Sequence, residues 1–296
     1  MPELPEVQTT VNGLNKTVKG RKIVDVETSY KSPFYKNRDE IKNPEFFKKF
    51  KKKIIGQKIL KVQRRAKNIL IHLLNHETIL VHMKMTGHFV YDRPETRFIR
   101  LDFKLDNGKH LVLSDMRKFA KVTLVRTAEL KKSPHLEDLG PEPLGKNFQF
   151  PIFNLQIQKK PKSKIKQVLM DQSLISGIGN IYSDEILWRA RVHPLSRPGR
   201  IPERNLRVMF KAIKETLRKG IDLGGDSMSD YRNIKGEKGN FQNCHRAYRR
   251  TGLSCGKSGR STLRVSDSKS CSGIIKRIIV GMRSAHFCPK HQKLFK

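Results

Sequence analysis

The chain has 296 residues, and its 62 lysines and arginines against 27 aspartates and glutamates give a formal net charge of +35. A surplus this large predicts a polyanionic partner, with nucleic acid as the first candidate. No apolar run is long enough to cross a bilayer, and the N-terminus lacks the basic start and apolar core of a signal peptide. We therefore expect a protein of the cytoplasm, associated with the nucleoid if it is bacterial, or of another reducing compartment, whose four cysteines form no disulfides.

The N-terminal sequence supports two interpretations. Removal of Met1 would leave Pro2 as a secondary amine, and an α-amino group titrates near about 7.7–8.0, so it can act as a nucleophile at neutral pH. The alternative is structural. Pro2 and Pro5 suit the first turn of a helix, and Glu3 and Glu6 complement the helix dipole.

The first half of the chain predicts one helix followed by β-structure. Residues 4–18 carry valine and leucine at helical spacing. From about residue 22 to 126 the pattern changes to short β-like runs, with apolar and polar residues alternating over 99–105 and a hairpin turn at 106–109. We predict a β-sandwich or flattened barrel behind the helix. The lysine-rich run 48–53 indicates a solvated face, with contact to a phosphate backbone as the alternative.

The second half predicts a helical region. We place the first domain at residues 1–138 and, because proline and glycine become dense, a linker at 139–160. Helices are expected at 164–175 and 181–191, separated by a glycine turn whose backbone N–H groups suit a phosphate. Asn180 could add a side-chain donor there. An ordinary tight turn between helices is the alternative.

A further helix and a long loop complete this region. Residues 206–217 show the pattern of an amphipathic helix. Residues 222–240 are too long for an ordinary connection and predict a mobile functional loop. We therefore predict a helical domain at 161–240 that includes this loop, and a C-terminal module at 241–296 that holds all four cysteines.

Five motifs follow one another in order along essentially the whole chain. They are the N-terminal Pro-Glu-Leu-Pro-Glu, Arg-Arg-Ala-Lys at 64–67, His-Met-Lys-Met-Thr-Gly at 82–87, Asp-Met-Arg-Lys-Phe at 115–119 and the segment 169–185. Together they resemble the formamidopyrimidine-DNA glycosylase/endonuclease VIII family, and the leucine at position 4 favours the formamidopyrimidine branch. The resemblance implies an α+β fold: an N-terminal helix with a β-sandwich, a helix–two-turn–helix domain and a C-terminal β-hairpin zinc finger.

The resemblance also implies a reaction. The family member would be a bifunctional DNA glycosylase and abasic-site lyase, acting as a monomer on oxidised purines such as 8-oxoguanine and formamidopyrimidines in double-stranded DNA. Pro2 would attack C1′ and form a Schiff base, with Glu3 as the nearby acid. Lys67 would take part in β-elimination and Arg283 in δ-elimination.

The resemblance also implies DNA contacts, among them Asn180 and Lys162 on the backbone that flanks the lesion and Arg283 on a phosphate. Met85, Arg117 and Phe119 would fill the gap left by the flipped nucleotide, and the loop at 222–240 would cap the lesion. Arg97 and Arg100 stand where the family usually has histidines, so a backbone contact could pass to either. The full DNA-binding set comprises Glu6, Met85, Arg97, Arg100, Arg117, Phe119, Lys162, Asn180 and Arg283.

The C-terminal cysteines resemble the family's zinc finger, in which sixteen residues separate two Cys-x-x-Cys pairs, with two departures. Thirteen extra residues stand between Cys255 and Cys271, and the final position is histidine. A Cys₃His set binds zinc as well as Cys₄ does, so the resemblance implies one structural zinc. Its ligands would be Cys255, Cys271, Cys288 and His291, with Cys244, His245 and His286 as competing ligands and Cys255 as a free thiol in the alternative. The insertion at 256–270 should be an exposed loop.

Three other functions stay open at this stage. An endonuclease VIII-like enzyme would prefer oxidised pyrimidines. A catalytically silent DNA-binding relative would keep the charge and the zinc finger, but binding alone does not require Pro2, Glu3 and Lys67 together. An RNA-binding zinc protein would explain the charge and leave the N-terminus without a role.

Overall fold

The computed structural model describes residues 1–30, 32–92, 96–255 and 271–296. They form two compact units, here the first unit (1–137 and 224–239) and the second unit (138–223 and 240–296). The predicted insertion at 256–270 lies outside the described residues. The loop that we predicted within the helical domain belongs mainly to the first unit.

The first unit begins with a helix whose start is fixed by its own side chains. Glu3 and Glu6 form a capping box, in which each carboxylate accepts the other residue's backbone N–H, and Pro5 occupies the first turn. The elements of this unit are helices α1 (Leu4–Thr17) and α2 (Pro44–Ile54) and strands β1 (Ile23–Thr28), β2 (Ile59–Arg65), β3 (Asn68–Leu73), β4 (Glu77–His82), β5 (His88–Tyr91), β6 (Ile99–Leu105), β7 (His110–Ser114) and β8 (Lys121–Arg126).

The strands form two antiparallel sheets, with orders β1-β6-β7-β5 and β2-β3-β4-β8. Apolar residues from both sheets and from α1, among them Leu14, Ile23, Ile71 and Phe103, belong to one buried cluster. The predicted sandwich and its preceding helix are confirmed. The predicted hairpin turn is also present, where Leu105 N–H donates to Lys109 O at 2.9 Å.

The lysine-rich run 48–53 lies in helix α2, which the sequence did not predict. Asn43 caps this helix by accepting the Glu45 N–H at 3.1 Å. Phe50 and Ile54 are buried on one side, whereas most of the lysines are exposed. The prediction that this run forms a solvated face is therefore confirmed. The run is helical because Phe50 and Ile54, four residues apart, pack on the sheet.

The second unit is helical with a C-terminal hairpin. Its elements are helices α3 (Phe150–Gln158), α4 (Ile165–Met170), α5 (Asn180–Arg189) and α6 (Glu203–Asp222) and strands β9 (Lys276–Val280) and β10 (Arg283–Phe287). The predicted linker 139–160 contains helix α3. Pro151 suits the first turn of this helix, and Phe153 and Ile157 are buried on one side of it. No helix in the described part of the chain is both long and apolar enough to cross a membrane.

Candidate active site

The N-terminus of α1 holds the predicted nucleophile in a buried setting. Pro2 is buried, Glu3 is 2% exposed and Glu6 is 1% exposed, whereas Met1 is 41% exposed. Glu3 N–H donates to Glu6 Oε2 at 2.8 Å. The capping box therefore fixes the backbone directly after Pro2.

Glu6 also anchors the loop 224–239 to the first unit. Asp226 N–H donates to the second carboxylate oxygen of Glu6 at 2.7 Å, and the Tyr231 hydroxyl donates to Glu6 O at 3.1 Å. Burial raises the pKa of Tyr231 above its usual range, so the hydroxyl keeps its proton and remains a donor. The carboxylate of Glu6 thus bonds both the backbone after Pro2 and the predicted capping loop.

The far end of this loop enters the sandwich core. Ile234 is 6% exposed and belongs to the main apolar cluster, and its carbonyl accepts Tyr91 N–H from β5 at 2.8 Å. A Cβ at Gly13 of α1 would lie 2.4 Å from Ile234 Cγ2, so this close approach requires glycine. These contacts explain why the loop belongs to the first unit.

Lys67 lies in the tight turn between β2 and β3 and is 5% exposed. The preceding Ala66 has φ +53°, and its carbonyl accepts an Arg64 guanidinium N–H at 3.0 Å. The Nε of Arg64 donates to Gln8 Oε1 on α1 at 2.9 Å. Arg64 therefore ties the lysine turn to the helix that begins with Pro2.

The predicted gap-filling residues lie on two loops of the first unit. Met85 is half-buried between β4 and β5, whereas Arg117 and Phe119 are exposed between β7 and β8. The Arg117 guanidinium carbon lies 4.7 Å from the centre of the Phe119 ring. Phe119 is 47% exposed, so a large apolar ring is presented to solvent next to a cation.

A buried carboxylate joins these two loops. The Thr86 hydroxyl donates to Asp115 Oδ1, and Ala120 N–H donates to Asp115 Oδ2 at 2.7 Å. Arg117 N–H in turn donates to Thr86 Oγ1 at 3.1 Å. Asp115 is fully buried and bonded to both loops, so the backbone segments that carry Met85 and Phe119 are held in place.

The two arginines at the start of β6 differ in setting. Arg100 Nε donates to Asp115 O at 2.9 Å, so this guanidinium supports the loop that carries Arg117. The Arg97 side chain is exposed, and its carbonyl accepts the Ser114 hydroxyl at 2.7 Å. Phosphate contact by either arginine stays a prediction.

In the second unit, Asn180 begins helix α5 after a glycine turn. Gly177 has φ +93°, which favours glycine, and its N–H donates to Gln172 Oε1 at 2.8 Å. Asn180 Nδ2 approaches Ser284 Oγ at 3.4 Å, which places the α5 N-terminus beside Arg283 of β10. Asn180 Oδ1 is buried with no hydrogen-bond partner among the described residues. Lys162 is exposed before α4.

A buried ion pair underlies this arrangement. Lys166 Nζ on α4 lies 2.5 Å from Asp184 Oδ1 on α5, and both side chains are fully buried. The other oxygen of Asp184 accepts His286 N–H from β10 at 2.9 Å, and its distance to the His286 ring Nδ1 is also 2.9 Å. The network joins the α5 N-terminal region to the hairpin that carries Arg283.

Glu185 holds the segment that leads into the cysteine module. Its carboxylate accepts three consecutive backbone N–H groups, from Arg246, Ala247 and Tyr248, at 2.8–2.9 Å. Because three backbone donors bond to one buried carboxylate, the backbone conformation of residues 246–248 is fixed against helix α5.

Three of the four predicted zinc ligands lie together. The Sγ atoms of Cys255, Cys271 and Cys288 all lie within 4.8 Å of one another, and those of Cys271 and Cys288 are 3.8 Å apart. A tetrahedral zinc with Zn–S bonds of about 2.3 Å separates two sulfurs by about 3.8 Å. The three cysteines therefore fit zinc in chemistry and spacing and would supply three of its four ligands.

The burial of Cys255 disfavours its thiolate form until a metal binds. Cys255 is fully buried, and burial raises the pKa of this thiol to about 12. A neutral buried thiol loses its proton when a metal binds, so metal binding should release protons. The fourth predicted ligand, His291, lies outside the group of sulfur atoms, with Nε2 3.1 Å from Trp188 O.

The competing ligands are placed elsewhere. Among the described residues, the group that could hold a metal contains only Cys255, Cys271 and Cys288. His286 is bonded to Asp184 through both its backbone and its ring. Cys244 and His245 are not part of the sulfur group.

Comparison with known proteins decides the family. A model of the formamidopyrimidine-DNA glycosylase N-terminal domain matches residues 1–122, and a model of the formamidopyrimidine-DNA glycosylase H2TH domain matches residues 139–232. The chain belongs to the formamidopyrimidine-DNA glycosylase family. The resemblance predicted from the five motifs is confirmed.

Relatives of this family cover the whole chain. The formamidopyrimidine-DNA glycosylase of Herpetosiphon aurantiacus is 37% identical over 98% of both chains, and that of Protochlamydia amoebophila is 35% identical over 99% of this chain and 100% of the relative. The structure of the Lactococcus lactis glycosylase in complex with abasic-site DNA has a TM-score of 0.83 at 31% identity, covering 98% of this chain and 99% of that one. The glycosylase fold thus extends through both units.

Several supporting residues of this family member were not predicted. Thr86 and Asp115 stand inside quoted motifs, but nothing in the sequence indicated that they bond to each other. Lys166 and Asp184 flank the glycine turn, and a lysine among apolar helix positions is the signal that could have drawn attention to them. Trp188 was not considered beside the cysteines.

Proposed function

We propose that this chain is a bifunctional DNA glycosylase and abasic-site lyase of base excision repair that removes oxidised purines from double-stranded DNA. The observation that carries the proposal is the buried N-terminus, where Pro2 directly precedes the nearly inaccessible carboxylate of Glu3. Membership of the glycosylase family supports it. Solved relatives from Lactococcus lactis are complexes with DNA that contains a formamidopyrimidine or an abasic site.

The chemistry begins once Met1 is removed. With Met1 attached the Pro2 nitrogen is an amide without a reactive lone pair, whereas the free secondary amine can attack C1′ and displace the damaged base. Glu3 supplies the proton that opens the sugar ring oxygen, which leaves an iminium on Pro2. Lys67 then assists β-elimination and Arg283 assists δ-elimination.

Access to C1′ requires the damaged nucleotide to leave the stack, which costs a few kcal/mol. Met85, Arg117 and Phe119 offset this cost by occupying the gap. The hydrogen bonds of Asp115 support this role, because side chains inserted into a duplex need loops that keep their conformation. The loop 224–239, anchored on Glu6, would cap the extruded base.

Phosphate contacts would hold the strand on either side of the lesion. Asn180 at the start of α5 and Arg283 beside it offer a side-chain amide, a helix N-terminus and a guanidinium together. Lys162, Arg97 and Arg100 would add weaker contacts. The net charge of +35 supplies attraction to any DNA sequence.

These roles should separate in binding experiments. Asn180→Ala and Arg283→Ala should weaken binding to damaged and undamaged duplex alike, and Arg283→Ala should lower the salt slope by about one. Arg117→Ala should reduce lesion processing more than binding to undamaged DNA. Arg204→Ala, on the exposed face of α6, is the control. Equal losses for all three site variants on both duplexes would contradict the division.

The proposed substrate class is tested by direct competition. We expect release of 8-oxoguanine and formamidopyrimidine from duplex to be faster than release of thymine glycol by the same preparation. Preference for thymine glycol would instead favour an endonuclease VIII-like enzyme. Binding without release of either base would favour a catalytically silent relative.

We further propose that Cys255, Cys271, Cys288 and His291 hold one structural zinc. The hairpin with Arg283 lies between Cys271 and Cys288 in the chain, so zinc would fix its base. Chelation should remove one equivalent of metal, increase hydrogen exchange in 271–296 and abolish tight DNA binding, because structural zinc contributes directly to folding.

Matched cysteine variants test the zinc site. Cys271→Ser should lose zinc and DNA binding, whereas Cys244→Ser, outside the sulfur group, should keep both. Active wild-type protein without zinc, measured by metal analysis, would reject the site. A monomeric enzyme in the cytoplasm stays a prediction, to be checked by sedimentation and fractionation.

A further inference from the structure

Trp188, near the end of α5, contacts two of the proposed zinc ligands. Its indole Nε1 donates to Cys255 Sγ at 3.1 Å. The His291 imidazole stacks on the indole, with ring centres 4.6 Å apart and planes 23° apart. His291 Nε2 lies 3.1 Å from the Trp188 carbonyl oxygen. The side chain of Trp188 thus contacts both Cys255 and His291, and its backbone carbonyl contacts His291.

The contact with the carbonyl fixes the tautomer of His291. A carbonyl oxygen can only accept a hydrogen bond, so Nε2 must carry the proton. The neutral imidazole then has its lone pair on Nδ1. Histidine ligands of metals commonly donate their other ring N–H to a backbone carbonyl or a carboxylate, which orients the ring. Nδ1 is therefore the ring nitrogen left to bind a metal, although neither ring nitrogen of His291 lies within the group of sulfur atoms in this structure.

The indole contact acts on the sulfur ligand. An N–H that donates to a thiolate stabilises the charged form, and the effect is stronger because Cys255 is fully buried. The Cys255 backbone is held separately, since its N–H donates to Gly273 O at 2.8 Å. The Trp188 bond thus governs the direction and charge of the side chain.

We propose that Trp188 is the positioning residue of the metal centre: its indole N–H stabilises the Cys255 thiolate, and its carbonyl and ring orient His291 so that Nδ1 is the atom available to complete the ligand set. The inference rests on the proposed zinc site. It assigns to the only tryptophan of the chain a function in metal binding, beyond packing. Thirteen extra residues separate Cys255 from Cys271 in the sequence. Because a longer chain between two ligands restricts their separation less, a contact from helix α5 to Cys255 would help to place this ligand.

Zinc affinity of the full-length protein tests the indole bond. In competition with a chromophoric chelator, Trp188→Phe should bind zinc about tenfold or more weakly than the wild type, as other partners of metal ligands do. Phenylalanine keeps one aromatic ring and the backbone carbonyl, and it removes the N–H donor together with the second ring of the indole. Phe241→Leu, a buried aromatic of the same unit outside the sulfur group, should destabilise folding without changing zinc affinity.

Cobalt(II) in place of zinc tests the histidine. The absorption of the cobalt protein should change in His291→Ala, which loses a nitrogen ligand, and should gain thiolate charge-transfer intensity in His291→Cys, which restores four sulfurs. Cobalt should also quench the emission of Trp188, which has no other tryptophan beside it.

The outcomes separate the two proposals. Absence of metal uptake by the wild type would reject the zinc site and this inference together. One bound equivalent with equal affinity in wild type and Trp188→Phe would overturn the indole role alone. An unchanged cobalt spectrum in His291→Ala would overturn the assignment of Nδ1.

Discussion

A protein that carries one extra residue before Pro2 is expected to lose lesion-strand cleavage by at least about a thousandfold, because the nucleophile becomes an amide. The free amine is the group that forms the iminium, and neither Glu3 nor Lys67 can replace it at the same position. Single-turnover cleavage of an 8-oxoguanine duplex measures the effect.

The same protein supplies its own control. A protease site placed before Pro2 allows the extension to be removed, and cleavage should restore full activity. DNA binding should change little, since the phosphate contacts lie on other elements. If the extended protein nicks the lesion strand at the normal rate, Pro2 is not the nucleophile.

Lys166→Met is expected to destabilise the second unit by about 3–5 kcal/mol, because it leaves the Asp184 carboxylate buried without its cation. The backbone and ring contacts of His286 with Asp184 would remain. Urea unfolding followed by emission of Trp188, the sole tryptophan, reports on this unit. DNA binding by the surviving folded fraction should also weaken, since Asp184 connects α5 to the hairpin of Arg283.

An exposed ion pair nearby provides the comparison. Lys160 Nζ lies 2.6 Å from Asp171 Oδ2, but the Lys160 side chain is 50% exposed. Lys160→Met should therefore cost no more than about 1 kcal/mol, because solvent screens such pairs. Similar small losses in both variants would show that the buried pair contributes little to stability.

The parts of the fold that the sequence predicted are those with a local signal. Helix α1 and the strands around 99–113 follow from the spacing of apolar residues, and the hairpin turn follows from its Asn-Gly pair. Helix α2 was missed because lysines surround its few apolar positions. Helix α3 was missed because proline and glycine upstream indicated a linker, although proline suits a first turn.

The candidate site shows the same limit. Pro2, Glu3 and Lys67 could be named from motifs, because each stands in a short family pattern. The bond between Glu6 and Asp226 joins residues far apart in sequence, and the Lys166, Asp184 and His286 network joins three separate elements. Such contacts arise only when the chain is folded, so neither spacing nor composition indicates them.

The most direct test of the proposed mechanism is the chemical identity of the covalent intermediate. Processed protein is mixed with 8-oxoguanine duplex in sodium borohydride, digested and analysed by mass spectrometry. We predict a reduced sugar adduct on the N-terminal peptide, attached to the nitrogen of Pro2. An adduct on Lys67 or any other lysine, with Pro2 unmodified, would contradict the proposed mechanism.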